Sequence, residues 1–561
     1  MGTIFYGQLT KALVICIGTL VIIPIIFGFI GFFLPSFGYF PILGKSEFNL
    51  NYFHLSFNIA GISKSIILSL FTGLVSTLLA LFFSQVILLY LFKTRAYNYI
   101  KIIISPLIAL PHITMAIGLI FLFSPSGLFF RLISPWLTGF DRPPNIFIMP
   151  DEYGLFLILG LILKEIPFFI LVSLSALQEF SAKKIFDLGK SLQNSNFSSW
   201  CILIFPLIYK KIRFVIFIVI AFTASVVDMS LILAPSTPST LAIRILQTYQ
   251  SSDADSLFIA SNLALIQLFI IIILLLFWMV LEKIVSYKLS FIFFMKILSF
   301  KTFFIKKIVI LTSVILFFLS ILGIISSLIW GLSANWYFPN FFPKSLTLDV
   351  FTNFYNENKS IIFISIFISF IVSLISSLLT IIWVELIEIL KIKKIYLEWI
   401  IFIPLFIPQI SFLIGLQSFI IIFDFDSYLL PLIIIQLFYV IPYSFIILAP
   451  SLREIKKEII IVATSLGKNR LQRLLSIKIP IVMSSLLTSF AIGMLVSFSL
   501  YTPVYFFGGG RITTLTVEAL NLALSGSRQD LGVATFFQII IPILILITVA
   551  YLSKKICKWR F

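Results

Sequence analysis

Runs of twenty or more apolar residues recur from one end of the chain to the other, separated by short polar stretches. A helix that crosses about 30 Å of hydrocarbon needs about 20 such residues. Twelve stretches reach that length: roughly 11–34, 62–92, 102–123, 153–175, 203–234 and 257–281, then 307–330, 360–390, 400–423, 429–449, 477–506 and 533–552. The pattern predicts an all-α polytopic membrane protein, because a helix satisfies its own backbone groups in lipid. The first stretch follows a single Lys11 and shows no small-residue cleavage site, so it is expected to be a retained helix rather than a signal peptide.

Composition agrees. Of 561 residues, 60% are hydrophobic and 11% charged, with a mean hydropathy of +1.15, whereas soluble proteins average about 45–50% apolar and about 25% charged. The net charge of +18 reads as cytoplasmic loops rich in Lys and Arg rather than as a nucleic-acid surface. With both termini placed inside, the inner loops hold thirty Lys and Arg and the outer loops nine, with Lys164 left inside a span. Two histidines, His54 and His112, and three isolated cysteines are too few for a metal cluster or a disulfide framework.

The halves repeat. Pro206 matches Pro480, Ser191-Leu192 matches Ser465-Leu466, and Thr240-Leu241 matches Thr514-Leu515, all at an offset of 274; upstream, Pro111 matches Pro408 and Gly118 matches Gly415 at 297. The step is accounted for by an insertion at Ser124–Tyr153. Six spans per copy set the two copies the same way up, with a substrate path expected where they meet. The expected units are 1–282 and 307–561, joined by a basic cytoplasmic linker over 283–306.

Two inner loops, about 176–206 and 450–480, exceed what a connection needs. In the second, Leu452, Ile455, Ile459, Val462 and Leu466 recur at helical steps and Gly467 follows as a left-handed terminator. In the first, Leu177, Ile185, Leu188 and Leu192 form a similar stripe. These loops resemble the inner-membrane permeases of binding-protein-dependent ABC importers, of MetI-like type. Their signature is Glu-Ala-Ala, three residues, Gly, nine residues, Ile-x-Leu-Pro. The second loop offers Val462, Ala463, Gly467, Ile477, Ile479 and Pro480 at those spacings, with Ile461 for the glutamate. The first departs further, with Asp187, Leu188 and Gly189, then Gln193, Leu203 and Pro206; Asn194 offers a left-handed residue there.

The resemblance covers the whole chain and looks like two permease units fused, as in thiamine- and ferric-iron-type importers and a less characterised branch of them. It implies that each loop is a coupling helix gripped by an ATP-hydrolysing subunit. It also implies two copies of that subunit, an external substrate-binding protein and a bacterial inner membrane. The ATPase-coupling residues expected are Asp187, Leu188, Gly189, Leu192, Gln193, Pro206, Val462, Ala463, Leu466, Gly467, Ile477 and Pro480. Cargo selection is expected to lie with the binding protein, which leaves thiamine, ferric iron, a polyamine or an anion open.

The chain is not expected to be an enzyme or to hold a cofactor or metal. Gly44-Lys45-Ser46 and Gly189-Lys190-Ser191 lack the glycine of a phosphate-binding loop, since Tyr39 and Lys184 stand there. ATP and magnesium therefore fall to partner subunits. Inside the spans, Lys164, Glu165 and Asp228 are candidates for the translocation path or for an intramembrane pair, with Lys164 expected to face Asp228. An ion-gradient-driven secondary transporter is the alternative, and it leaves the two proline-terminated loops without a role.

Overall fold

The structure is a computed structural model and describes residues 18, 22–146, 148–192, 195–253, 255–295, 303–390, 399–423 and 428–558. The first half contains α1 (Ile22–Ser36), α2 (Asn51–Phe57), α3 (Ile62–Leu91), α4 (Ile100–Ala109), α5 (His112–Phe123), α6 (Leu128–Ile133) and α7 (Leu155–Gln178). It continues with α8 (Ala182–Ser191), α9 (Asn196–Ser199), α10 (Phe205–Ser225), α11 (Asp228–Leu233), α12 (Leu241–Tyr249) and α13 (Ser256–Met295). The second half contains α14 (Phe303–Leu332), α15 (Asp349–Leu390), α16 (Trp399–Leu405), α17 (Gln409–Phe423), α18 (Leu429–Arg453) and α19 (Lys457–Ser465). It ends with α20 (Arg470–Arg473), α21 (Ile479–Ile481), α22 (Met483–Ser499), α23 (Thr502–Phe507), α24 (Leu515–Ser525) and α25 (Arg528–Lys558). A short antiparallel pair, β1 (Ser333–Asn335) and β2 (Ser345–Leu346), closes the turn after α14.

The protein is an all-α polytopic membrane protein. Among the described residues, eight helices are long and apolar enough to span a membrane, and ten if two bent pairs each count as one span. The twelve expected stretches all have helical counterparts, but several are broken. The stretch 102–123 divides at Leu110-Pro111, and 400–423 turns through 100° between α16 and α17, just before Pro408. Proline lacks the N–H that would continue the ladder. The stretch 203–234 divides at Val226-Val227, and α10 carries Lys210, Lys211 and Arg213 in its first turns. Of the basic linker expected over 283–306, the described residues at both ends are helical. Its apolar residues Leu289–Met295 extend α13, and α14 begins at Phe303; 296–302 lie outside the described residues.

The long helices sort their residues by size. On α3 the buried face carries Ser65, Ser69, Thr72, Gly73, Ser76, Thr77 and Ser84, while Ile67, Phe71, Leu78 and Phe82 lie exposed on the opposite face. An apolar outer face of that extent suits hydrocarbon rather than water. The small face lets backbones approach, as in membrane helix interfaces generally. Thr223 on α10 donates to the Gly73 carbonyl at 3.1 Å and lies 3.1 Å from the Thr77 hydroxyl. The counterpart α15 does the same with Ser365, Ser369, Ser373, Ser376 and Thr380, and Ser376 donates to Ser444 on α18 at 2.8 Å.

The repeat extends to fine detail. Ser195 and Asn469 both N-cap a four-residue helix through their side chains, and each helix runs into a five-residue π-turn, Trp200–Ile204 and Leu474–Lys478. The backbone N–H of Leu241 donates to Ser69, and that of Leu515 donates to Ser365, at 2.9 and 2.8 Å. The halves also interlock with matching contacts. Thr114 donates to Gln538 at 2.8 Å, and Ser411, its counterpart, donates to the Ala264 carbonyl at 3.1 Å. Backbones cross closely at Gly118–Gly323, and at Gly415 against Gly28 and Gly31. The first helix of each half thus packs on the other half.

The insertion supplies a further tie. Arg131 on α6 donates to the carbonyls of Tyr337, Asn340 and Trp336 in the second half at 2.8–3.0 Å, and its guanidinium stands 4.4 Å above the Trp336 ring. The planar fork of arginine suits several carbonyls and an aromatic face at once.

Candidate functional site

At the basic end of the bundle, α8 and α19 lie across the helix ends as short surface elements. The stripe from Leu452 to Leu466 does not form one helix: Leu452 closes α18 and is buried, and the chain turns before α19 begins at Lys457. Each surface helix then has two different faces. On α8, Ala182, Phe186 and Gly189 pack inward, and Phe186 meets the rings of Phe92 and touches the cluster that holds Trp200. Leu188 and Leu192 face away, 62% and 64% exposed. On α19, Ala463 packs inward while Ile461, Val462 and Leu466 face away, Leu466 at 73% exposed.

The termination of α19 follows from its sequence. Gly467 has φ +78°, which a side chain disfavours, and its N–H reaches the Thr464 carbonyl while the Lys468 N–H reaches that of Ala463. These two bonds are the Schellman arrangement that satisfies helix-end carbonyls. Asn469 then opens α20 with a reciprocal capping box to Gln472. Ile477 lies in the π-turn and Pro480 in the first turn of α21; Pro206 stands at the equivalent place in α10. Gln193 and Asn194 lie outside the described residues.

Each of the two loops is tied by charge to the end of the second long helix of its own half. Asp187 on α8 pairs with Lys93, just beyond α3. Lys478, after α19, pairs with Glu385 and, at 2.9 Å, with Glu388 near the end of α15. The two ties use different positions of the repeat, since at the offset of 274 Asp187 aligns with Ile461 and Lys478 with Ile204. Neither Lys93 nor Lys478 is legible as a tether from spacing alone, since the partners stand about ninety residues away in sequence.

A second polar group lies within the spans, where the halves meet. Lys164 does not form the expected pair with Asp228: its ammonium donates to the carbonyls of Leu107, Ile108 and Leu110 at 2.5–3.3 Å. The reason is the break after α4. The helical donor for the Leu107 carbonyl would be the N–H of residue 111, which is proline. Lys164 supplies the missing donor and a positive charge at a helix C-terminus. Glu165, its neighbour, points elsewhere, with its carboxylate 3.7 Å from His112 Nε2. Asp228 accepts the Met229 N–H at 2.8 Å.

His112 was not singled out by sequence reasoning; a histidine directly after a proline inside an apolar stretch was the signal available. Replacing Lys164 by Met should leave the three carbonyls without a donor and lower stability by about 2–3 kcal/mol. The check is thermal unfolding of the detergent-purified chain, with Asp228→Asn expected to melt close to the wild type.

Residues 389–560 match the family model described as the binding-protein-dependent transport system inner membrane component. That range contains α19, its Gly467 terminator and the proline that follows. Over 451 residues, 80% of each chain, the protein is 24% identical to the inner membrane ABC transporter permease protein YnjC of Escherichia coli (strain K12). That alignment is longer than either half, so it runs across both copies of the repeat.

Proposed function

We propose that this chain, a fused inner-membrane permease of the ABC transporter family, is driven by two copies of a separate ATPase subunit. One copy grips α8 and the other α19 on the cytoplasmic side, with both termini of the chain on that side. Cargo reaches the opposite face from an external substrate-binding protein and passes along the seam between units 1–282 and 307–561. The observation that carries this reading is the pair of exposed apolar faces on α8 and α19. An amphipathic helix that buries one face on its own bundle and offers another outward is suited to a groove in a partner. Such faces at the basic end, among lysines and arginines, belong on the cytoplasmic side.

The ion pairs give the grip a direction. When ATP draws the two gripping subunits together, α8 moves with Lys93 and α3, and the turn at Lys478, which follows α19 and α20, moves with Glu385, Glu388 and α15. ATP and magnesium are held by the partners, and this chain contributes the levers and the path. Lys164 keeps the α4 break in shape, while Glu165, Asp228 and His112 border the path.

The test is co-purification of the tagged chain from its native host, with uptake measured after ATP depletion at a maintained proton gradient. We expect an ATPase subunit at two per chain and loss of uptake. Uptake that survives ATP depletion, with no ATPase recovered, would reject the proposal.

A further inference from the structure

The packing of the two halves differs at one place. Ser69 and Ser365 are equivalent, since each accepts the first N–H of the matching helix, from Leu241 and from Leu515. At the same offset of 296, Ile87 on α3 aligns with Trp383 on α15. On α7 and α18, Pro167 aligns with Pro442 at 275, which sets Leu163 against Phe438 and Ile170 against Phe445. Trp383, Phe438 and Phe445 are all buried, and Phe438 stacks on Phe412 at 4.6 Å. The second half therefore packs three rings where the first half has aliphatic side chains.

The three aliphatic residues border open space. Ile87, Leu163 and Ile170 line an apolar cavity of about 280 Å³, bounded by α3, α4 and α7 of the first half and by α14 of the second. Its wall on α14 runs from Ile310 to Ser320, about 15 Å at 1.5 Å per residue. That is the depth of one leaflet in a hydrocarbon core about 30 Å thick. Val314, also in the wall, is 45% exposed and shares its side of α14 with the exposed Leu311, Ile315 and Phe318, so the cavity opens towards lipid. Water finds too few polar partners in such a space, and leaving it empty forfeits the contacts of its lining.

The end of the cavity at Ile310 is basic. Arg95 is exposed just beyond α3, Lys101 follows the lining residue Ile100 on α4, and Lys306 and Lys307 stand about one turn before Ile310 on α14. Residues 92–111 and 283–320 contain no Asp or Glu. Glu179 and Asp187, which follow α7, are already paired with Lys211 and Lys93. Basic pockets between spans collect anionic headgroups. We propose that this cavity binds one acyl chain of an anionic phospholipid from the bilayer, with the phosphate among the cations at that end. The chain is then packed by helices of both halves and ties α14 to α4 and α7. The site needs only the membrane-spanning fold and is independent of how α8 and α19 are gripped.

The experiment uses the full chain in detergent, stripped of lipid and titrated with dioleoyl phosphatidylglycerol or dioleoyl phosphatidylcholine, the bound lipid being counted by native mass spectrometry. We expect the first phosphatidylglycerol to bind at least tenfold more tightly than phosphatidylcholine. Ile87→Trp, which gives α3 the ring of the second half, should abolish that first binding step without lowering the melting temperature of the lipid-free chain. Arg95→Gln, Lys101→Gln and Lys307→Gln together should keep one lipid bound but bring the two lipids to equal affinity. Equal affinity of the two lipids for the wild type overturns the proposal, as does an Ile87→Trp chain that binds phosphatidylglycerol like the wild type. A triple variant that keeps the full preference overturns the placement of the headgroup. Leu163→Phe with Ile170→Phe is the second filling variant and carries the same expectations should Ile87→Trp not fold.

Discussion

Leu466→Asp is expected to lower uptake at least tenfold while leaving the yield of the permease unchanged and its melting temperature within a few degrees of the wild type. The two halves of that result have separate causes. Leu466 is 73% exposed as the C-cap of α19, where the capping bonds are made by backbone groups, so the change costs only what a carboxylate at a helix C-terminus does, about 0.3–1 kcal/mol. In the gripped state the same side chain would lie at the centre of a desolvated contact. There a truncated anchor costs about 2 kcal/mol or more, and a carboxylate buried without a partner adds to that. Since about 1.4 kcal/mol is a factor of ten, the grip on α19 should weaken by roughly thirtyfold. The measurement is ATPase subunit recovered per permease, together with uptake. Leu188→Asp on α8 should act in the same direction. Full ATPase recovery with both aspartates present would mean that these faces lie on lipid headgroups instead.

How far the sequence could be read depended on the range of the interaction. Apolar length, charge placement and the repeat are summed over many residues, and they sufficed for an all-α membrane protein. The αL terminator at Gly467 was legible because the residue type itself encodes the conformation. The partner of Lys164 was not legible. Charge complementarity suggested Asp228, yet the carbonyls that claim the ammonium exist only because Pro111, more than fifty residues earlier, interrupts a helix. The same prolines were readable as kinks, but the 100° turn between α16 and α17 depends on what packs around it.

The serine and threonine ridges of α3 and α15 illustrate a signal that was present and overlooked. In an apolar run a hydroxyl looks like interruption, and only its recurrence at three- and four-residue steps in both copies, such as Ser65, Ser69, Thr72 and Ser76 against Ser365, Ser369 and Ser373, shows a packing face. The tethers from Asp187 to Lys93 and from Lys478 to Glu385 fall between these cases. The residues stand at loop ends where charge is ordinary, so composition is silent. It is the fold that brings each to the end of the second long helix, and the two are not equivalent positions, since at the offset of 274 Lys478 aligns with Ile204 and Asp187 with Ile461.

Gly415→Leu should cost the most folded protein of any single change in the bundle. A Cβ on Gly415 would stand 1.9 Å from the Gly28 carbonyl oxygen, and one on Gly31 would stand 2.0 Å from the Gly415 oxygen. Both obstacles are backbone, so no rotamer relieves them, and the remedy is for α1 to move away from α17. That movement opens the crossing where Phe412 packs against α1 and where Phe32 is fully buried. Overpacking of a core costs about 1–3 kcal/mol and sometimes more, and a membrane interface that relies on close backbone approach has little else to compensate. The contrast between sites makes the effect attributable. Gly118→Ala meets Gly323 at 3.1 Å and should be milder than Gly415→Ala, while Gly18→Ala, with the Trp383 ring 3.8 Å away, should be neutral. Size-exclusion profiles and melting temperatures of the four variants should follow that order, and a Gly415→Leu chain that elutes and melts like the wild type would show that α1 does not cross α17 at these glycines.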